Sequence, residues 1–274
     1  MNKKAALATL LAVGIALGAF FVMRFFPPVE MPHRLFVDHV ETKTTNGKQT
    51  TDTIWKRVPD FNLTNQLGQK VSMKELEGKI IVADFFFTHC PSVCPQMTRN
   101  MKMLQSAIKS NEKVGNREAD YVQFISFSVD PLRDSVAELK KFADRYQVDP
   151  QNWWLLTGDK KQIYDLAREG MMMGITEGLV DTGFIHPSQF VLIDKERVIR
   201  ARKDETGNVH LYHGLDSTDV KNIAEDVVLL SIEKDPKKKS FLAGKLENIA
   251  IVFGIAGIGI VLLVIFLKKE KTGS

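Results

Sequence analysis

Cys90 and Cys94 are the only cysteines in the 274-residue chain, and they stand four apart in residues 88–97, THCPSVCPQM. Two thiols at this spacing can do redox chemistry, bind a soft metal ion, or both. A structural disulfide or two inert buried thiols would be the plainer reading of a lone pair, but the flanking sequence argues against it. Residues 79–87 (KIIVADFFF) have the length and the β-branched and aromatic content of a buried strand. Beyond the cysteines, Met97, Met101, Leu104 and Ile108 recur at helical spacing, and Pro95 suits the first helical position, where its missing N–H costs nothing. A strand therefore delivers both cysteines to a helix N-terminus. There the unpaired amides and the helix dipole are expected to favour thiolate, which is both the nucleophile and the metal ligand.

The elements that must position this turn alternate. Residues 59–76 read as a small hairpin turning near Gly68, followed by a short helical turn. Residues 121–129 (YVQFISFSV) form a second buried strand, and Asp134 is the expected N-cap of a helix with an apolar face of Val136, Leu139, Phe142, Ala143 and Tyr146. Residues 153–157 (WWLLT) form a third strand and residues 159–169 a helix. Residues 170–185, rich in Gly and Met, are expected to be irregular. Residues 188–194 (SQFVLID) form a fourth strand with residues 198–202 returning beside it, and a helix over 216–232 closes the domain. This order predicts an α/β fold, with a central mixed, mostly parallel sheet and helices on both faces. Such folds build sites at the carboxyl ends of their strands, where the cysteine turn falls. His186 and Pro187, immediately before the fourth strand, are the residues expected to face it.

The formal charge of +4 does not describe the central domain. Lys3, Lys4, Lys237, Lys238, Lys239, Lys245, Lys268, Lys269 and Lys271 lie in the terminal regions, and the stretch between them is mildly acidic, so nothing suggests nucleic acid. Those lysines flank two uncharged runs, residues 5–23 and 249–267, each long enough to span a membrane. The expected organisation is a membrane anchor over 1–26, a tether or irregular lead-in over 27–57, the α/β domain over 58–233, a basic linker over 234–248, a transmembrane helix over 249–267 and a cytoplasmic tail over 268–274. Residues 20–26 lack the small-residue exit of a cleaved signal, so the first run is read as an uncleaved anchor with the domain exported.

The blocks FFFTHCPSVCPQM, ISFSVDPLRD and WWLLTG, with a histidine before a strand reading FVLID, resemble the Sco/SenC family of membrane-anchored copper proteins over residues 58–228. The resemblance implies a thioredoxin-like fold and a role in assembling the copper centre of cytochrome c oxidase. It also implies that Cys90, Cys94 and His186 hold copper, as Cu(I) or Cu(II). The implied location is a bacterial inner membrane with the domain on the periplasmic side. The implied partners are a copper-acceptor subunit of a respiratory oxidase and an upstream copper donor or thiol reductase. The rival is a thiol-disulfide oxidoreductase that keeps the cysteines of an oxidase subunit reduced, one of Cys90 and Cys94 attacking and the other resolving.

Other donors are read more plainly. His89 is expected as a surface group beside the site, His210 and His213 as exposed loop residues, and Met171, Met172 and Met173 as loop packing. Met97, Met101 and Met103 are expected in the core, and Asp130 and Arg133 as a local pair near a helix start. Pro187 would press His186 towards the cysteines if the bond between them were cis, an arrangement that would equally suit a thiol reductase.

Overall fold

The computed structural model describes residues 31–45, 48–110, 121–175, 187–204 and 206–233. The chain divides into two compact units, Met1–Ser231 and Ile232–Ser274, and the fold below is that of the first. In order it comprises β1 (His33–Arg34), β2 (Val37–Thr45), β3 (Lys48–Trp55), β4 (Asn62–Asn65), β5 (Lys70–Ser72), a 3-10 turn (Met73–Leu76) and β6 (Ile80–Phe86). Then come α1 (Cys94–Ser110), β7 (Val122–Ser128), α2 (Val136–Arg145), β8 (Trp153–Thr157) and α3 (Lys160–Asp165), which runs into a π-helical turn (Leu166–Gly170). β9 (Gln189–Ile193), β10 (Ile199–Lys203), β11 (Val209–His210), β12 (Tyr212–His213) and α4 (Ser217–Ile232) complete it.

The central sheet runs β1-β10-β9-β6-β7-β8-β4-β5, with β11 beside β10 and β12 beside β9. Only β6–β7 and β7–β8 pair in parallel; β6–β9, β9–β10, β1–β10, β4–β8 and β4–β5 are antiparallel. The sheet is thus mixed and only partly parallel, which corrects the mostly parallel expectation. Parallel pairing needs a long crossover, and α1 and α2 supply one each, whereas hairpins build both margins. β6 and β7 are buried along their whole length, as central strands covered on both faces must be.

Three local expectations change. β2 and β3 pair as an antiparallel ladder with Val37 opposite Trp55 and Thr45 opposite Lys48 and a register shift between Val37 and His39, although their polarity suggests an irregular lead-in. Asp134 does not cap α2; Ser135 does, accepting from the Glu138 amide, while Asp134 is wholly buried. Met103 faces outward, unlike Met97 and Met101, which lie in the core. Among the described residues no helix is long and apolar enough to cross a membrane, and both expected spans lie outside them.

Gly170 closes the π turn against Pro59. A Cβ there would stand 2.7 Å from Pro59 Cδ, part of a ring that cannot rotate away, and 3.3 Å from Leu166 Cδ1. Gly170→Ala is therefore expected to destabilise the domain by about 1–3 kcal/mol, the usual cost of overpacking, read as a lowered denaturant midpoint with an unchanged slope.

Candidate metal centre

β6 ends at Phe86, and the chain turns through Thr88, His89 and Cys90 before α1 begins at Cys94. Pro95 therefore occupies the second helical position, one later than expected, and is equally harmless there because the first four amides have no partner within the helix. The Gln96 and Met97 amides both close on the Val93 carbonyl, at 3.1 and 3.0 Å. Both cysteines are buried thiols, Cys94 at 1% exposure and Cys90 at 9%, so Cys90 is the outer member. They are close enough to hydrogen-bond to each other.

That contact reverses one expectation. The Cys94 thiol is pushed far above its ordinary range, first by its hydrogen bond to Cys90 and then by burial; the charges of Cys90 and Asp84 add to the shift. A backbone bond from Phe87 acts in the opposite sense and is outweighed. The helix terminus does not win here, because a second thiol at contact distance and a low-dielectric site both favour the protonated form. Cys94 holds its proton until something displaces it.

Two hydrogen-bonded ties fix the surroundings. On one side the carboxylate of Asp134 accepts from the Thr88 amide at 3.3 and 3.2 Å, from the Thr88 hydroxyl at 2.5 Å and from the Ser128 hydroxyl at 2.5 Å. On the other, Asn100 of α1 donates its side-chain amide to the Gly214 carbonyl at 2.7 Å, and the Gly214 amide donates to the Ser188 carbonyl at 2.7 Å. Gly214 is closely packed there: a Cβ would meet Met97 Cε at 3.1 Å and the Phe190 ring at 3.2 Å, so both neighbours would have to give by a few tenths of an ångström. The cysteine helix is thereby joined to the start of β9.

His186 lies outside the described residues, as does its bond to Pro187. The sheet nevertheless determines where its neighbour stands. β9 runs antiparallel to β6, with Ala83 opposite Val191 and Ile81 opposite Ile193, so the chain enters β9 at the end from which β6 leaves. Pro187 and Ser188 are accordingly at the cysteine end of the sheet. Among the described residues no group of three His, Cys, Asp or Glu side chains is arranged to hold a metal ion.

The other donors fall mostly as read. His89 is 57% exposed and bonds through Nδ1 to Thr88 Oγ1 at 2.9 Å. Met171 and Met173 are buried, and Met172 is exposed. His210 and His213 belong to the short strands β11 and β12 and not to a loop, and His210 Nε2 lies 3.6 Å from Asp219 Oδ1. Asp130 and Arg133 pair at 3.4 Å. Sequence reasoning passed over Asp84, although a carboxylate inside the apolar run IIVADFF was a visible signal; it is buried in β6 and its charge reaches Cys94.

A model of the family described as SCO1/SenC matches residues 49–213. The curated SCO1 protein homolog of Bacillus subtilis is 34% identical over 66% of this chain and 86% of its own length. A protein of Stutzerimonas stutzeri named a putative copper-binding protein is 24% identical over 53% of this chain and 68% of its own. Among solved structures, a SCO1/SenC family lipoprotein from Bacillus anthracis superposes with a TM-score of 0.54 at 34% identity, covering 65% of this chain and 95% of that one. BsSco, described as having a disulfide switch and as a member of the Sco family of cytochrome c oxidase assembly proteins, gives 0.53 at 33% identity, covering 67% and 98%.

Proposed function

Because the chain belongs to the SCO1/SenC family and has its thioredoxin-like α/β fold, we propose that it is a copper metallochaperone that helps to mature the copper centre of a cytochrome c oxidase. Copper is its cargo, held by Cys90, Cys94 and His186. Membrane spans over residues 5–23 and 249–267 tether the domain to a bacterial inner membrane on the periplasmic side, near the acceptor subunit. A copper donor or thiol reductase acts upstream.

The observation that carries this reading is the convergence of two buried, mutually hydrogen-bonded thiols with the start of β9, three residues beyond His186, at one end of the sheet. The donor set fits the ion: thiolates suit Cu(I), and an imidazole extends the set to Cu(II). The relatives' names add support, since BsSco is described as an oxidase assembly protein and the Stutzerimonas protein as copper-binding.

The test is copper titration of the reduced, purified full chain in detergent, followed by absorption and EPR, with His186→Ala beside the wild type. One copper per chain, weakened about a hundredfold by the substitution, is the expected result. A wild type that takes up no copper stoichiometrically sinks the reading.

The raised Cys94 thiol adds a pH dependence. Metal binding must displace a proton that Cys94 otherwise keeps throughout the neutral range, so copper affinity is expected to rise with pH, by about tenfold per unit for each proton released. Competition titrations between pH 6 and 8 check the sign and the slope.

The same contact supports a second reading, a thiol-disulfide reductase, because thiols within hydrogen-bond reach of each other can close a disulfide with little movement. Cys90, the more exposed, would attack a substrate disulfide, and Cys94 would resolve the mixed disulfide, leaving the substrate as two thiols and this pair oxidised. Disulfide turnover that survives His186→Ala while copper binding is lost favours this role.

A further inference from the structure

We infer that Asp134 is a positioning residue for the cysteine pair, acting through Thr88. The inference rests on Cys90 and Cys94 being the working groups of the reading above. Asp134 has no exposed surface, and it belongs to the turn after β7, forty-four residues beyond Cys90. Its two carboxylate oxygens accept from three donors: the Thr88 amide, shared between both oxygens, the Thr88 hydroxyl and the Ser128 hydroxyl. Its own amide is fixed in turn by the Asp130 carbonyl at 2.9 Å. One side chain thus ties together the ends of β6 and β7 and the turn that follows β7.

A carboxylate is a costly way to hold a turn. Burial raises the Asp134 pKa, and the Ser128 and Thr88 bonds offset this only in part. No lysine or arginine pairs with it among the described residues; the nearest basic group is His89 Nδ1, at 4.0 Å. What the charge provides is an acceptor with enough lone pairs to bind both the amide and the hydroxyl of Thr88, so that the residue is held at two points. Cys90 follows two residues later, and its amide closes back on the Phe87 carbonyl at 3.2 Å. With β6 ending at Phe86, Thr88 held by Asp134 and the Cys90 amide closed on Phe87, the backbone that carries Cys90 is anchored on both sides of His89.

The network also sets the His89 ring. The Thr88 hydroxyl gives its proton to Asp134, so towards His89 it can only accept, and Nδ1 must carry the hydrogen.

Thr88→Val keeps the side-chain shape and removes the hydroxyl, Thr88→Ser restores it, and Asp134→Asn keeps the shape of the acid and removes its charge. Two quantities are measured on the full chain in detergent, with thermal stability alongside: the thiol-disulfide equilibrium of the metal-free pair in glutathione buffers, and Cu(I) affinity by chelator competition. Thr88→Val and Asp134→Asn should each shift the thiol-disulfide equilibrium by about threefold or more and weaken copper binding by about tenfold, the usual scale for groups that orient a metal ligand; Thr88→Ser should return both to wild type. A lowered melting temperature with both quantities within twofold of wild type would overturn the inference and leave Asp134 a structural residue. If the wild type binds no copper, the copper reading fails by itself, and the thiol-disulfide arm still decides the positioning role. Should Asp134→Asn fail to fold, the Thr88 pair decides it.

Discussion

Cys94→Ser should cost the reduced protein about a hundredfold or more in Cu(I) affinity, the order expected from about 3 kcal/mol per ligand in a thiolate- and imidazole-bound site. Serine is nearly the size of cysteine and can still hydrogen-bond to Cys90, so the buried first turn of α1 keeps its shape. Its hydroxyl does not ionise in the accessible pH range and is a hard donor, so the site loses a soft ligand and almost nothing else. Cys90→Ser is expected to do the same, and the double substitution to abolish stoichiometric binding. Far-UV circular dichroism and melting temperature should stay near wild type, because the pair stabilises nothing as a disulfide here. The measurement is competition against a chromophoric Cu(I) chelator under strictly reducing conditions. Wild-type affinity in Cys94→Ser would remove Cys94 from the ligand set.

The largest effect on stability is expected at Asp226, on α4. This wholly buried carboxylate on α4 takes a bidentate pair of hydrogen bonds from Arg202 on β10, at 2.7 and 2.8 Å, and a third from the Tyr212 hydroxyl on β12 at 2.5 Å. Each partner responds: Asp226 raises the Arg202 pKa, and burial, followed by the Asp226 charge, raises that of Tyr212. Asp226→Ala leaves the buried Tyr212 hydroxyl without this acceptor and takes the bidentate partner from the Arg202 guanidinium, which keeps only Asn222 at 2.9 Å and Glu225 at 3.1 Å. The expected loss is about 3–5 kcal/mol, or roughly 10 °C in Tm for a domain of this size. If the cost lies in stranded polar groups, replacing all three by Asp226→Leu, Arg202→Met and Tyr212→Phe should recover most of it. Thermal melts of the single and triple variants decide the point, and a loss below about 1 kcal/mol for Asp226→Ala would contradict the argument.

Much of this architecture could be read from residue order, for reasons specific to each part. β6, β7, β8 and β9 were visible because strands buried on both faces become short apolar runs bounded by turn residues, as in YVQFISFSV before Asp130-Pro131. The cysteine turn was visible because its two functional residues are local. The pairing of β2 with β3 was not, since a ribbon with little buried surface has no apolar face to alternate. Asp134 was assigned to the helix it precedes, as an aspartate there usually is; its actual partners, Thr88 and Ser128, come from other strand ends and leave no local mark. Asp84 carried a mark that was missed, a charge at a position where every neighbour is apolar. The shift of Cys94 depends on a contact between two side chains, and no reading of helix dipoles alone contains it.

The antiparallel pairing of β6 with β9 bears on the order of folding. Ile81 pairs with Ile193, so the strand that leads into the cysteine turn gains its second neighbour only when a segment more than a hundred residues later is in place. Pairings of such long sequence separation form slowly, because the loop they close must be ordered first. During synthesis β6 and β7 can meet early through α1, and both thiols are then carried on a half-covered sheet edge. That interval, before β9 closes the sheet, is when Cys90 and Cys94 are expected to be more open to oxidants and stray metal ions than in the finished fold, where both are buried.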